Sequence, residues 1–188
     1  MIAGPNGAGK TTLARELISN SPFLYEFINA DEIARGLAPN HPETVALMAS
    51  KLMINRLKDL LEADKNFAFE TTLSGTNYVK HLNSAKAKGY DIVLFFLWLD
   101  SPEQALKRVA QRVKQGGHFV PQNVIFRRYY AGIKNLLTTY LPLVDMAVIM
   151  DNSTEAVESK MIARVVRRKI VDVLNQNIWN RMNKVAYE

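Results

Sequence analysis

Apolar positions along this 188-residue chain follow two periods, and their alternation sets the expected fold. The longest apolar run, Ile92 to Leu99 within "YDIVLFFLWLD", has no polar face and predicts a central parallel strand buried on both sides. "NFAFETTL" alternates, with Phe67, Phe69 and Thr71 on one face and Ala68, Glu70 and Thr72 on the other. "FLYEFINAD" predicts a second strand running up to Asp31, and "DMAVIMD" a last one. Helical spacing fills the intervals: Lys10 to Ser19, the stretch "HPETVALMASKLMINRLKDLLEADK", and Asn77 to Lys88 closed by Gly89. Ser101-Pro102 starts a further helix that Gly116-Gly117 ends, and another runs from Pro121 to Leu141. The basic tail "SKMIARVVRRKIVDVLNQ" reads as an amphipathic helix within about 154–183. Strands alternating with helices predict one α/β domain over residues 1–188. Its parallel sheet has five strands flanked by helices, and ligands meet at the strands' carboxyl ends.

The opening "MIAGPNGAGKTT" narrows this to a P-loop NTPase or kinase-like fold. Gly4, four residues, then Gly9-Lys10-Thr11 matches G-x-x-x-x-G-K-[ST] in full. In such a loop, Gly4, Pro5, Asn6, Gly7, Ala8, Gly9, Lys10, Thr11 and Thr12 surround phosphate with backbone N–H groups, and the following helix adds its positive end. Lys10 reaches the β- and γ-phosphates, and the Thr11 hydroxyl ligates Mg²⁺. Only Met1, Ile2 and Ala3 precede the loop, so either the first strand is very short or the natural chain begins further upstream.

Composition adds exclusions. There is no cysteine, which removes disulfides, thiol nucleophiles and cysteine-ligated metals. No apolar run is long enough to cross a bilayer, no signal segment precedes the loop, and a cytoplasmic location is expected. The net charge of +6 suits anionic substrates without singling out nucleic acid, which the absence of interleaved aromatics in the tail does not favour.

Candidate chemistry lies at the strand ends. Asp31 is either a helix N-cap or the base that takes a proton from an acceptor hydroxyl during phosphoryl transfer. Glu70, inside an apolar strand, either pairs with a cation or faces the cleft to hold Mg²⁺ waters or a substrate hydroxyl, with Thr71 and Thr72 beside it. Asp100 fits a Walker-B acid or a helix cap equally well. Arg108 and Arg112 share a helix face, Arg127 and Arg128 follow, and "GGHFVP" joins the two helices into a hinged lid over about 108–128. Arg112 is the first choice for a lid cation, and His118 contacts phosphate or substrate or holds the loop. His41 and His81 are expected at the surface.

With these residues in view, the chain resembles the zeta-toxin family of P-loop kinases. The likeness rests on "IAGPNGAGKTT", "INADEIA", "FAFETTLSG", "FLWLDSPEQALKRVAQRVKQGGHFVP", "RRYYAGIKNL" and "DNS", in that order. The resemblance implies an ATP- and Mg²⁺-dependent kinase whose acceptor is a UDP-activated sugar, with a small antitoxin protein as partner. It implies Lys10 on the phosphates, Asp31 as base, Glu70 in the acceptor site and Arg112 in the lid. His118 or Arg127 supplies the second lid cation, and Asn152 lies where related kinases hold adenine. Two other functions stay open: a kinase acting on a nucleic-acid hydroxyl, and an ATP-gated switch that transfers nothing.

Overall fold

A computed structural model describes residues 1–154 and 160–187. Strands β1 (Ile2–Ala3), β2 (Glu26–Ile28), β3 (Phe67–Thr71), β4 (Val93–Trp98), β5 (Met146–Asp151), β6 (Lys160–Val166) and β7 (Lys169–Val173) form one sheet in the order β2-β3-β1-β4-β5-β6-β7. The helices are α1 (Lys10–Ser19), α2 (Ala30–Leu37), α3 (Ala46–Glu62), α4 (Val79–Ala87), α5 (Pro102–Lys114), α6 (Gln122–Asn135) and α7 (Gln176–Tyr187). A 3₁₀ turn, Pro42–Val45, precedes α3, and a π-helical turn, Leu136–Tyr140, follows α6.

The first five strands are parallel, as the alternation of elements predicts. β4 is the middle strand of the sheet, and its Leu94, Phe96, Leu97 and Trp98 are buried, which accounts for the unbroken apolar run. Register aligns the carboxyl ends: Ala3 lies opposite Thr71 and Phe96, and Trp98 opposite Asp151. The loops after β1, β2, β3 and β5 therefore emerge at one edge. That edge holds the site.

Four expectations need correction. The sheet has seven strands, not five, and it is not wholly parallel: β6 and β7 add in antiparallel fashion beyond β5. The basic tail is accordingly no helix over 160–173. Its Val- and Ile-rich segments suit a pleated surface, and Arg167 and Arg168, both at positive φ (46° and 68°), make the tight turn between them. That turn normally calls for Asn-Gly, so its sequence signal is hidden. Helix returns only in α7, and residues 155–159 of the predicted helix lie outside the described residues. β2 is shorter than expected, which leaves Asp31 in the first turn of α2. His81 is buried on α4 rather than exposed, whereas His41 is exposed as expected.

Among the described residues no helix is long and apolar enough to cross a membrane. Phe96 is a fully buried ring on the middle strand. Phe96→Ala is expected to lower unfolding free energy by about 3–5 kcal/mol, read as a shift of the urea midpoint at unchanged slope.

Candidate phosphate and acceptor cleft

The loop between β1 and α1 is built by tight approach. Gly4 sits at φ 141°, and a Cβ there would collide with the Leu97 carbonyl oxygen of β4, so only glycine fits against the neighbouring strand. Gly9, at φ 84°, precedes α1, which begins at Lys10. The Asn152 amide, just past β5, donates to the Ala8 carbonyl at 2.7 Å. Asn152 thus ties the loop to the end of β5.

Lys10 is buried. Its ammonium donates to the Pro5 carbonyl at 2.9 Å and lies 3.6 Å from Glu70 Oε1. Glu70 is partly buried, and its Oε2 accepts from the Thr11 hydroxyl at 2.7 Å and the Asn29 amide at 2.8 Å. Of the two options open for Glu70, pairing with a cation and facing the cleft, both hold at once. Asn29 also N-caps α2 by accepting from the Asp31 and Glu32 backbone N–H groups. The cap is therefore Asn29, and the Asp31 carboxylate is left free of that duty.

Burial is the strongest influence on Lys10 and lowers its pKa, against the pull of the Glu70 and Asp31 carboxylates and with the Arg112 charge adding to the lowering. Burial likewise lowers the Arg128 pKa, opposed by Asp31.

These groups line one cleft of about 280 Å³. Asn6, Lys10, Glu70 and Asp31 form one part of its wall, Arg112, His118 and Arg128 another, and Thr71, Thr72, Ser74, Asn77 and Tyr78 a third. Helices α5 and α6 flank the loop 115–121, and Arg112 Nη2 donates to the His118 carbonyl at 3.0 Å, folding the loop against α5. His118 Nδ1 lies 3.9 Å from Glu43 Oε2, across to the turn before α3. Arg128 lines the cleft, but Arg127 is exposed and does not. Thr12 is also exposed. Arg108 donates to the Ser153 carbonyl at 3.3 Å, bracing the segment after β5. Asp100 is no Walker-B acid. It is exposed and pairs with Arg181 of α7 at 2.6 Å, while Ser101 caps α5.

Three buried polar atoms of cleft-lining residues have no hydrogen-bond partner: Asn6 Oδ1, Arg112 Nε and His118 Nδ1. An unpaired guanidinium N–H on a cleft-lining residue suits a bound anion. Among the described residues no group of three or more His, Asp or Glu side chains could by itself hold a metal. The Thr11 hydroxyl and the Glu70 carboxylate, 2.7 Å apart, are oxygen donors of the kind a hard cation takes.

A bound triphosphate favours the charged form of Lys10 and raises its pKa. The affinity it contributes is then complete below the lowered pKa of the free protein and lost as pH rises through the bound-state value. Titration calorimetry should show nucleotide affinity falling toward alkaline pH, with Lys10→Met weaker throughout and flatter.

Over residues 1–129 the chain matches the model of a family described as AAA domain. An uncharacterized protein of Haemophilus influenzae is 30% identical over 126 residues, covering 67% of this chain and 88% of that protein. The fold is similar to that of AvrRxo1-ORF1:AvrRxo1-ORF2 crystallised with sulphate ions, at TM-score 0.75 and 17% identity. That match covers all of this chain, which spans 64% of the other's length. It is also similar to a chain of the PezAT chromosomal toxin-antitoxin system of Streptococcus pneumoniae, at TM-score 0.65 and 16% identity over 98% of this chain and 83% of that one. These identities carry the P-loop kinase-like fold and nothing finer. By the family model, which spans the phosphate loop, the β3 acid and the lid, this chain belongs to the AAA domain family.

Proposed function

We propose that this chain is an ATP-dependent phosphotransferase that moves the γ-phosphoryl group to a hydroxyl of a small anionic acceptor. A UDP-activated sugar is the acceptor to try first. One observation carries the reading: Asp31, Lys10, Arg112 and Arg128 all line one cleft, beside a wall of hydroxyl and amide side chains.

In this reading Lys10 and the loop amides bind the β- and γ-phosphates. Mg²⁺, held by the Thr11 hydroxyl and the phosphates with Glu70 behind them, would neutralise their charge when bound. Asp31 accepts the proton of the acceptor hydroxyl as its oxygen bonds to the γ-phosphorus and the bond to the β–γ bridging oxygen breaks, releasing ADP. Arg112 and Arg128 stabilise charge on the transferring group, and the lid keeps water out. Glu70, Thr72 and His118 border the acceptor; Arg127 has no part in it.

The solved structure of AvrRxo1-ORF1:-ORF2 with ATP supports ATP as the donor. The two-protein assemblies named for both similar folds support an antitoxin-like protein as a partner, in keeping with a zeta-toxin-like kinase.

The test is incubation with ATP, Mg²⁺ and a panel of UDP-sugars, followed by mass spectrometry for a gain of one phosphate. Asp31→Asn is expected to lower kcat about 10²–10⁴-fold while nucleotide affinity stays within a few-fold. Tight ATP binding with no phosphorylated product, or full activity in Asp31→Asn, would count against the reading.

A further inference from the structure

One wall of the cleft is a loop, residues 72–78, and it does not hold its shape alone. Thr72, Ser74, Gly75, Asn77 and Tyr78 all line the cleft. Leu73 is fully buried at φ 53°, a conformation unfavourable for a branched apolar residue. Internal bonds are few: Leu73 N–H donates to Thr71 Oγ1 at 3.0 Å, and the Thr72 and Ser74 hydroxyls share a bond at 2.9 Å.

Its far end is held from β3 and α3, where the Tyr78 ring lies 5.0 Å from that of Phe69 and its hydroxyl donates to Met53 Sδ at 3.7 Å. The stretch from Thr72 to Gly75 is supported by one helix and the turn after it. Arg128, Gly132 and Asn135 stand at i, i+4 and i+7, one stripe of α6. Arg128 enters the cleft. At Gly132 a Cβ would come within 2.5 Å of the Thr72 carbonyl oxygen, so the helix backbone itself lies against the loop. Asn135 Nδ2 donates to the Leu73 carbonyl at 2.7 Å. A regular helix would bring residue 139 next onto the stripe. The π-helical turn Leu136–Tyr140, closed by Leu141 N–H to Leu136 carbonyl at 2.9 Å, inserts one residue and delivers Tyr140 instead. Tyr140 is fully buried, and its hydroxyl donates to the Gly75 carbonyl at 2.6 Å. Burial pushes the Tyr140 pKa up to about 12, so it stays a protonated donor at any ordinary assay pH.

We propose that Asn135 and Tyr140 are positioning residues that set the acceptor affinity of the cleft by clamping the loop 72–78, the π-turn being what brings Tyr140 to it. Neither side chain is among those lining the cleft; each acts through a carbonyl of the loop that does. Because Arg128 shares the stripe, the helix that shapes the acceptor wall is also the one that carries a lid cation. The proposal rests on the phosphotransferase reading above.

The test uses Tyr140→Phe and Asn135→Ala in the full chain, with exposed Thr138→Ala on the same turn as a control. With UDP-N-acetylglucosamine and related UDP-sugars, the acceptor KM should rise tenfold or more. The KM for ATP, the kcat at saturating acceptor and the slow ATP hydrolysis without acceptor should stay within about twofold. Thr138→Ala should match the parent. A uniform loss of ATP affinity and kcat, or an unchanged acceptor KM, overturns the proposal. If the parent protein phosphorylates none of the sugars, the function reading fails by itself, and hydrogen exchange then decides the clamp. Faster exchange confined to residues 72–78 in Tyr140→Phe, with residues 4–12 unchanged, upholds it. Equal exchange there removes it.

Discussion

The site depends on one enclosed carboxylate. Glu70 at the end of β3 takes the Thr11 hydroxyl, the Asn29 amide and the nearby Lys10 ammonium together. A lysine buried as deeply as Lys10 would tend to lose its charge, and neutral Lys10 could not bind phosphate. Glu70 opposes that loss while also tying three segments to one point: the phosphate loop, the first turn of α1 and the cap of α2. The Asn29 cap in turn fixes where Asp31 leaves its helix. A single side chain thereby relates the phosphate-binding end of the cleft to its candidate base.

The rest of the cleft is assembled around that centre by backbone contacts. Asn152 holds the phosphate loop through Ala8, and Gln104 and Arg108 both reach the Ser153 carbonyl, so α5, the end of β5 and the loop are tied together. Tyr129 of α6 donates to the Leu99 carbonyl at 2.7 Å, anchoring the second lid helix to the end of the middle strand. The loop between these anchored helices is tied by the Arg112 bond to the His118 carbonyl, the Gly117 N–H bond to the Arg112 carbonyl, the longer His118–Glu43 contact and the buried Val120.

Much of this was legible in the residues. The phosphate loop, the alternating Glu70 face, the unbroken apolar run of β4 and the glycines ending α5 each have a local signature strong enough to locate them. The β6–β7 hairpin did not, because Arg167-Arg168 is an unusual turn and the arginines around it imitate an amphipathic helix. Asp100 misled for a similar reason: an acid closing a long apolar strand fits a Walker-B pattern, and only the approach of Arg181 from a distant helix reveals its structural role. Asn135 and Tyr140 left no local trace at all. Their contacts span 62 and 65 residues, and the π-turn that aligns them has no recognisable sequence signal.

Phosphoryl transfer in this cleft requires the terminal phosphate to lie within one hydroxyl's reach of Asp31. A crystal structure with Mg²⁺ and a non-hydrolysable ATP analogue tests it directly. The account predicts the γ-phosphate against Lys10 and Arg112, with the Asp31 carboxylate facing it across a gap wide enough for one hydroxyl. A γ-phosphate directed away from Asp31, or a carboxylate turned out of the cleft, would contradict it.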